Sequence, residues 1–355
     1  MNIKGYVKKN SEPFTSQPIN IVDNLVICWM AYFDFAPVKD KLPLKIAEFK
    51  DIPEYQKLEP YVSSFFPRFS RKYMQYLTIS PRFKEMELID CEYVLDKNSV
   101  AQFAVIAVRI LDEIIISVRG TDPSYVGWKE DFTMAYKDRI HSYALAEKFV
   151  KKIIENHQGN ITLCGHSKGG NVCTYLLSQI EDDSRIKHVY SFDGPGFRIK
   201  GLFKGKEDRL EKFTKIVPQS SIVGVLFSNE TDIKIIRSYN VMFLQHNPFE
   251  WLVKNDDFIY LKKRTLSSRY LEKAINSWID NLPEEDRERF TEIIFGELDK
   301  FDAEDFTIFF KKIAMQVGPV YKAYRSLNKE DKKLVNRVLR KLARNLIKPE
   351  KPQIS

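Results

Sequence analysis

The chain has 355 residues, 44% of them hydrophobic and 29% charged, with 56 Lys and Arg against 48 Asp and Glu for a formal net charge of +8. That balance describes a soluble globular protein long enough for one large domain or two ordinary ones. No stretch reaches the roughly 18 apolar residues of a membrane span, and neither a zinc-finger spacing, an aromatic RNA-binding signature nor a Gly-rich phosphate loop accompanies the basic charge, which argues against nucleic acid as a partner.

Met1 is followed by no apolar leader, and Cys28, Cys91, Cys164 and Cys173 show no metal-ligand spacing. A reduced, cytoplasmic location without bound metal is therefore expected. Residues 1–20, rich in Ser, Pro, Asn and Lys, are expected to be loose, and a helix is expected over 23–33. Residues 36–87 mix Pro with aromatics, as in Tyr61-Val62-Ser63-Ser64-Phe65-Phe66-Pro67. They are expected to pack as short helices over a sheet, with a place in a substrate cleft as the alternative.

From residue 88 the periodicity sharpens. Segments 92–95, 102–110 and 113–119 are rich in Val, Ile and aromatics and predict strands. The Leu111-Asp112 connection predicts an antiparallel pair. An apolar stripe at Ala144, Ala146, Phe149, Val150, Ile153 and Ile154 predicts a helix over 142–156. Strands are then expected at 160–165, 187–192, 213–217 and 233–236, with a helix up to about residue 180. Strand–helix alternation of this kind implies an α/β class with a mostly parallel sheet and helices on both faces. Beyond residue 265 the runs 268–281, 284–298, 303–324 and 328–347 are helical in period. The expected organisation is a loose segment 1–20, an α/β domain 21–264 and a helical appendage 265–350.

The most informative residues are Gly165-His166-Ser167-Lys168-Gly169. A Gly-x-Ser-x-Gly run between a short strand and a helix is the context of a nucleophile elbow, where a serine sits on a strained turn. Gly165 and Gly169 leave room for strand and helix to approach. The helix N-terminus directs N–H groups, Lys168 first, at an oxyanion forming beside Ser167.

A serine nucleophile needs a base, and in this fold the chain order is serine, acid, histidine. Of the five histidines, His141 and His157 precede Ser167, His166 sits inside the elbow, and His188 begins the following strand. His246 remains, in a loop after the last strands. For the acid, Asp193 ends the strand that follows the elbow helix, before Gly194-Pro195-Gly196; Asp232 and Glu230 are the alternatives. The second oxyanion donor is expected from Arg119-Gly120-Thr121, through the N–H of Thr121 with help from its hydroxyl.

These blocks resemble the class 3 lipases, in which Arg-Gly-Thr, Trp-x-x-Asp and Gly-His-Ser-Leu-Gly-Gly recur. Here they are Arg119-Gly120-Thr121, Trp128-Lys129-Glu130-Asp131 and Gly165-His166-Ser167-Lys168-Gly169-Gly170. The chain is more similar still to a bacterial family of lipase-like α/β-hydrolases sharing blocks like Asp193-Gly194-Pro195-Gly196-Phe197, Val217-Pro218-Gln219-Ser220-Ser221 and Gln245-His246-Asn247-Pro248-Phe249. The resemblance implies an α/β-hydrolase fold and a Ser hydrolase with no settled substrate. Two departures stand out. Lys168 replaces the usual Leu, its side chain either favouring an anionic substrate or pointing outward. The segment 217–221, where those lipases keep their acid, holds no carboxylate, a further reason to prefer Asp193.

The expected function is that of a serine esterase or lipase acting through an acyl-enzyme, with no cofactor. Its partner would be a small-molecule or lipid ester, and the basic surface is compatible with peripheral contact with an anionic membrane. The competing expectation is a non-catalytic hydrolase fold used for binding or scaffolding, with the helical tail as its interaction element. A third is a peptidase or thioesterase, since fold does not fix substrate.

Overall fold

A computed structural model of the chain describes residues 1–54, 67–227, 231–299 and 317–349. A nine-stranded sheet organises them: β1 (Leu44–Lys45), β2 (Glu87–Asp96), β3 (Ala101–Ile110), β4 (Glu113–Val118), β5 (Asn160–His166), β6 (Ile186–Phe192), β7 (Phe213–Pro218), β8 (Ile233–Ile236), then, after a small hairpin of β9 (Val253–Lys254) and β10 (Asp257–Phe258), β11 (Tyr260–Leu261). Spatial order follows chain order, with β11 beside β8. The five strands β4 to β8 run parallel, and every flanking pair is antiparallel. The expected hairpin through Leu111-Asp112 is the β3–β4 pair.

Successive residues of a strand point to opposite faces, so each central strand feeds two cores. On one face Ile106, Val108, Ile115 and Cys164 pack under α1 (Ile3–Lys9), α2 (Ile21–Met30) and α3 (Pro67–Ile79). On the other, Val105, Ala107, Ile114, Ile116 and Leu163 meet α5 (His141–Asn156) and α6 (Lys168–Gln179). This is the α/β-hydrolase arrangement of a parallel-centred sheet with helices on both faces. A further helix, α4 (Tyr125–Thr133), follows β4. The described part of 36–87 packs: Val38, Ile46, Phe49, Tyr73 and Leu77 are all core residues. Residues 61–66 lie outside the described residues.

The tail is helical over α7 (Leu266–Asp280), α8 (Glu284–Asp299), α9 (Val317–Ser326) and α10 (Lys329–Ile347), broken at Asn281 and Leu327–Asn328. Residues 303–316 of the expected third run lie outside the described residues. Leu282, Ile293, Leu334, Val335 and Val338 form its own small core. It grips the α/β domain through Phe295, whose ring packs edge-on against Tyr125 and Phe132 of α4. Among the described residues, no helix is long and apolar enough to cross a membrane.

One expectation fails. Residues 1–20 are not loose, because Arg82 holds them from 64 positions downstream of Pro18. Its buried guanidinium bonds Asp23 twice, at 2.8 and 2.5 Å, and donates to the carbonyls of Glu12 and Pro18. Tyr6 donates to the same carboxylate at 2.9 Å, so α1 is tied in as well. Removing one partner of a buried pair strands the other charge. Arg82→Ala should therefore lose about 3–5 kcal/mol in chemical denaturation, and the N-terminal segment should become protease-sensitive.

Candidate active site

The C-terminal ends of β4, β5, β6, β7 and β8 lie on one edge of the sheet, and the elbow forms at the end of β5. Ser167 adopts φ +58° and ψ −129°, a strained conformation that turns the chain from β5 into α6 within one residue. The two glycines are steric necessities. A Cβ on Gly165 would lie 2.2 Å from the Gly169 backbone, and one on Gly169 2.0 Å from the Val118 carbonyl oxygen. The Ser167 N–H donates to the Phe192 carbonyl at 3.0 Å, locking the turn to the end of β6.

Asp193 follows Phe192 directly, at φ +51° and only 1% exposed. One carboxylate oxygen, Oδ2, lies 2.7 Å from His246 Nδ1, and the other accepts from the Ser221 hydroxyl at 2.5 Å. Ser221 in turn accepts the Gly224 N–H at 3.0 Å. With Nδ1 donating to Asp193, Nε2 of a neutral imidazole carries the lone pair; it makes no hydrogen bond among the described residues. The alternative acid Asp232 stands exposed just before β8 begins, at the opposite edge from these strand ends. Glu230 lies outside the described residues.

The His246 loop is anchored from several sides. Gln245 is fully buried and accepts the Ser220 N–H at 2.7 Å, while its carbonyl accepts from the Trp251 indole at 2.7 Å. His166 bonds the His246 carbonyl through Nε2 at 2.9 Å and Tyr32 Oη through Nδ1 at 2.8 Å, and the two imidazole centroids are 4.5 Å apart. A carbonyl only accepts, so Nε2 of His166 carries the proton and Nδ1 accepts from Tyr32. Burial, followed by the neighbouring His246, pushes the His166 pKa well down. His166 is thus a neutral strut under the His246 loop.

Gly120 brings the second loop against the serine: a Cβ there would lie 2.6 Å from the His166 carbonyl oxygen and 2.9 Å from Ser167 Cβ. The N–H groups of Thr121 and Lys168 have no hydrogen-bond partner among the described residues. The Thr121 hydroxyl is different. It donates to Asp131, 2.8 and 2.7 Å from the two carboxylate oxygens, so it is committed to holding its own loop rather than to an oxyanion.

Lys168 departs from both expectations for its side chain. It points neither outward nor at a substrate but into the protein, where Nζ meets Glu130 at 2.5 Å, the Gln102 carbonyl at 2.6 Å and the Gln102 amide oxygen at 2.9 Å. Glu130 also accepts from the Ser142 N–H and hydroxyl and from the Gln102 N–H. This buried set ties the elbow to α4, the helix that carries Asp131.

Burial pushes the Asp131 carboxyl up to about 6, with Lys168 and Thr121 pulling the other way. A carboxylate raised in the folded state costs stability as pH rises through the gap between its ordinary 3.8 and about 6. Asp131→Asn keeps an acceptor for Thr121 and removes that cost. The variant should gain on the wild type between those pH values and hold an advantage of up to about 3 kcal/mol above them. Thermal melts across pH check the sign. Nearby, burial lowers the Lys215 ammonium to about 7 although Asp193 draws it up, so it is largely neutral in alkaline solution.

Ser221, Tyr32, Gln245 and the structural use of Lys168 were not apparent from sequence. Asp131 was visible only as part of the Trp-x-x-Asp block, with no partner to give it a role.

A family model described as Mbeg1-like matches residues 77–296. Human arylacetamide deacetylase-like 2 is 27% identical over 143 residues, 39% of this chain and 31% of that protein, so the match spans about a third of the relative's length. Among solved structures, M37 lipase has 17% identity and a TM-score of 0.34 over 57% of this chain and 68% of that one. The Lip2 lipase from Yarrowia lipolytica has 14% identity and a TM-score of 0.35 over 52% of this chain and 76% of that one.

Proposed function

The chain belongs to the Mbeg1-like family, and from its site we propose that it is a serine hydrolase of esterase or lipase type, cleaving a carboxylic ester through an acyl-enzyme. The observation that carries the proposal is the 2.7 Å contact between His246 Nδ1 and buried Asp193, on the same sheet edge as a serine in an elbow conformation. A purely structural histidine has no need of a buried carboxylate partner on that edge.

In this reading Ser167 Oγ attacks the acyl carbonyl and gives its proton to His246 Nε2. Asp193 holds the imidazole in the Nδ1–H tautomer and stabilises the imidazolium. Ser221 holds Asp193. The N–H groups of Thr121 and Lys168 receive the oxyanion, a contribution of about 3–4 kcal/mol for each donor in known cases. Proton return from His246 expels the alcohol; water then repeats the sequence on the acyl-enzyme. Likeness to an arylacetamide deacetylase-like protein supports an acyl group as what is cleaved.

A fluorophosphonate probe tests the proposal directly. Labelling should map to the peptide carrying Ser167, and p-nitrophenyl esters of graded chain length should be turned over. A chain that neither labels nor hydrolyses any of them would instead be the binding or scaffold module.

A further inference from the structure

Three segments near the site share an unusual surface. The first, 237–244, leads into the His246 loop and exposes Tyr239, Val241, Met242 and Leu244. The second, 262–273, exposes Leu266 at 77% and Tyr270 at 42%. The third, 344–348, ends α10 and exposes Leu346 at 42% and Ile347 at 82%. Single exposed apolar residues are ordinary, but a set of them carried on segments tied to one another calls for an account.

Hydrogen bonds join the segments. Tyr270 Oη donates to the carbonyls of Leu346 and Ile347, at 2.9 and 2.8 Å. The Thr265 N–H donates to the Gln219 carbonyl at 2.8 Å, and the Gln219 side chain clasps Ser238 through both its N–H and its carbonyl. Ser268 Oγ reaches the Ser221 carbonyl at 2.6 Å, one residue's length from Asp193. The three segments are therefore tied to one another and, through Ser221, to the acid of the candidate active site.

Charge on this surface has one sign. The three segments hold eight Lys and Arg and a single acid, Glu272. That acid is already paired with Arg264. Arg237, Lys262, Lys263 and Arg269 are exposed without an ion pair among the described residues, as are Arg344 and Lys348 on the third segment. Cations flanking exposed Leu, Ile and Tyr side chains fit the boundary between anionic headgroups and acyl chains. A second protein surface would need a matching acidic face, and two copies of this one would oppose like charges. Nucleic acid would have no use for the aliphatic tips.

We propose that the surface formed by 237–244, 262–273 and 344–348 docks on an anionic lipid bilayer, cations on the headgroups and the side chains of Leu266, Ile347, Tyr239, Val241, Met242 and Leu244 among the outer acyl chains. The docking goes beyond the hydrolase reading and does not depend on it, so it is measured as binding, without turnover.

Vesicle flotation of the full chain tests it. The chain should float with vesicles of phosphatidylcholine containing roughly 30% phosphatidylglycerol and not with phosphatidylcholine alone. Binding should collapse between about 0.05 M and about 0.5 M NaCl. Each exposed cation near such a surface should be worth roughly fivefold in partitioning, so the triple variant Arg269→Ala, Arg344→Ala, Lys348→Ala should bind on the order of a hundredfold more weakly. Leu266→Asp with Ile347→Asp should also weaken binding. Unchanged circular dichroism and melting would show each variant folded. Because all five positions are exposed, and because the salt series uses the wild type, a folding failure in one variant leaves the test intact. Equal flotation with neutral vesicles, no flotation at all, or wild-type binding by both variants would overturn the proposal. So would a vesicle-free dimer that Ile347→Asp dissolves, or RNA binding lost in the triple variant while vesicle binding persists.

Discussion

Ser167→Ala should abolish fluorophosphonate labelling and reduce ester turnover by about 10⁴–10⁶, because removal of the nucleophile leaves only oxyanion stabilisation and binding to accelerate reaction with water. The fold should survive. Ser167 is half-buried, its side chain caps no helix, and its N–H bond to Phe192 uses the backbone. The methyl group of Ala occupies the place of Cβ, which already packs against Gly120. Positive φ at this position is strained for Ser and Ala alike, so the exchange alters chemistry more than conformation. Turnover near the wild-type rate would remove Ser167 from the mechanism and leave the 2.7 Å Asp193–His246 pair without a catalytic role.

What can be read from sequence here is what the chain decides locally. The elbow spans β5, one residue and α6, and its two glycines announce a close approach before the approach is seen. The alternation of Ile114, Ile115 and Ile116 between two cores is carried by their own strand. Asp193 and His246 could be brought together because chain order and strand ends constrain where an acid and a base can stand. Interactions between distant segments leave no such trace. Arg82 looks like any surface arginine until topology lays Glu12, Pro18 and Asp23 around it. Lys168 looks like a charge at the oxyanion hole until α4 presents Glu130, 38 residues earlier in the chain. Tyr32 meets His166 across 134 residues. In each case a polar side chain is buried because a partner waits for it, and the partner is set by the sheet order rather than by neighbouring residues.

The acid is decided by a pair of single variants. Asp193→Asn should lower turnover by about 10⁴, since an amide no longer favours the Nδ1–H tautomer or stabilises the imidazolium. Asn tolerates the left-handed backbone that Asp193 adopts at φ +51°, so the turn into Gly194 should persist. Ser221→Ala probes the same carboxylate from its other oxygen. It removes one of the two side chains, Ser221 and His246, that hydrogen-bond the Asp193 carboxylate and leaves the Gly224 N–H without its acceptor. A lost hydrogen bond to a charged group is worth about 1.5–3 kcal/mol, and a share of that should appear as a fall in turnover of roughly 10–100-fold. Asp232→Asn should be nearly silent, because the residue is exposed and precedes β8, at the edge opposite the strand ends where Ser167 and His246 gather. Steady-state turnover with one ester, and circular dichroism for each variant, give the ranking Asp193 first, Ser221 second, Asp232 last. A severe loss in Asp232→Asn with a mild one in Asp193→Asn would require the chain between β7 and β8 to refold toward His246 and would displace Asp193 as the acid.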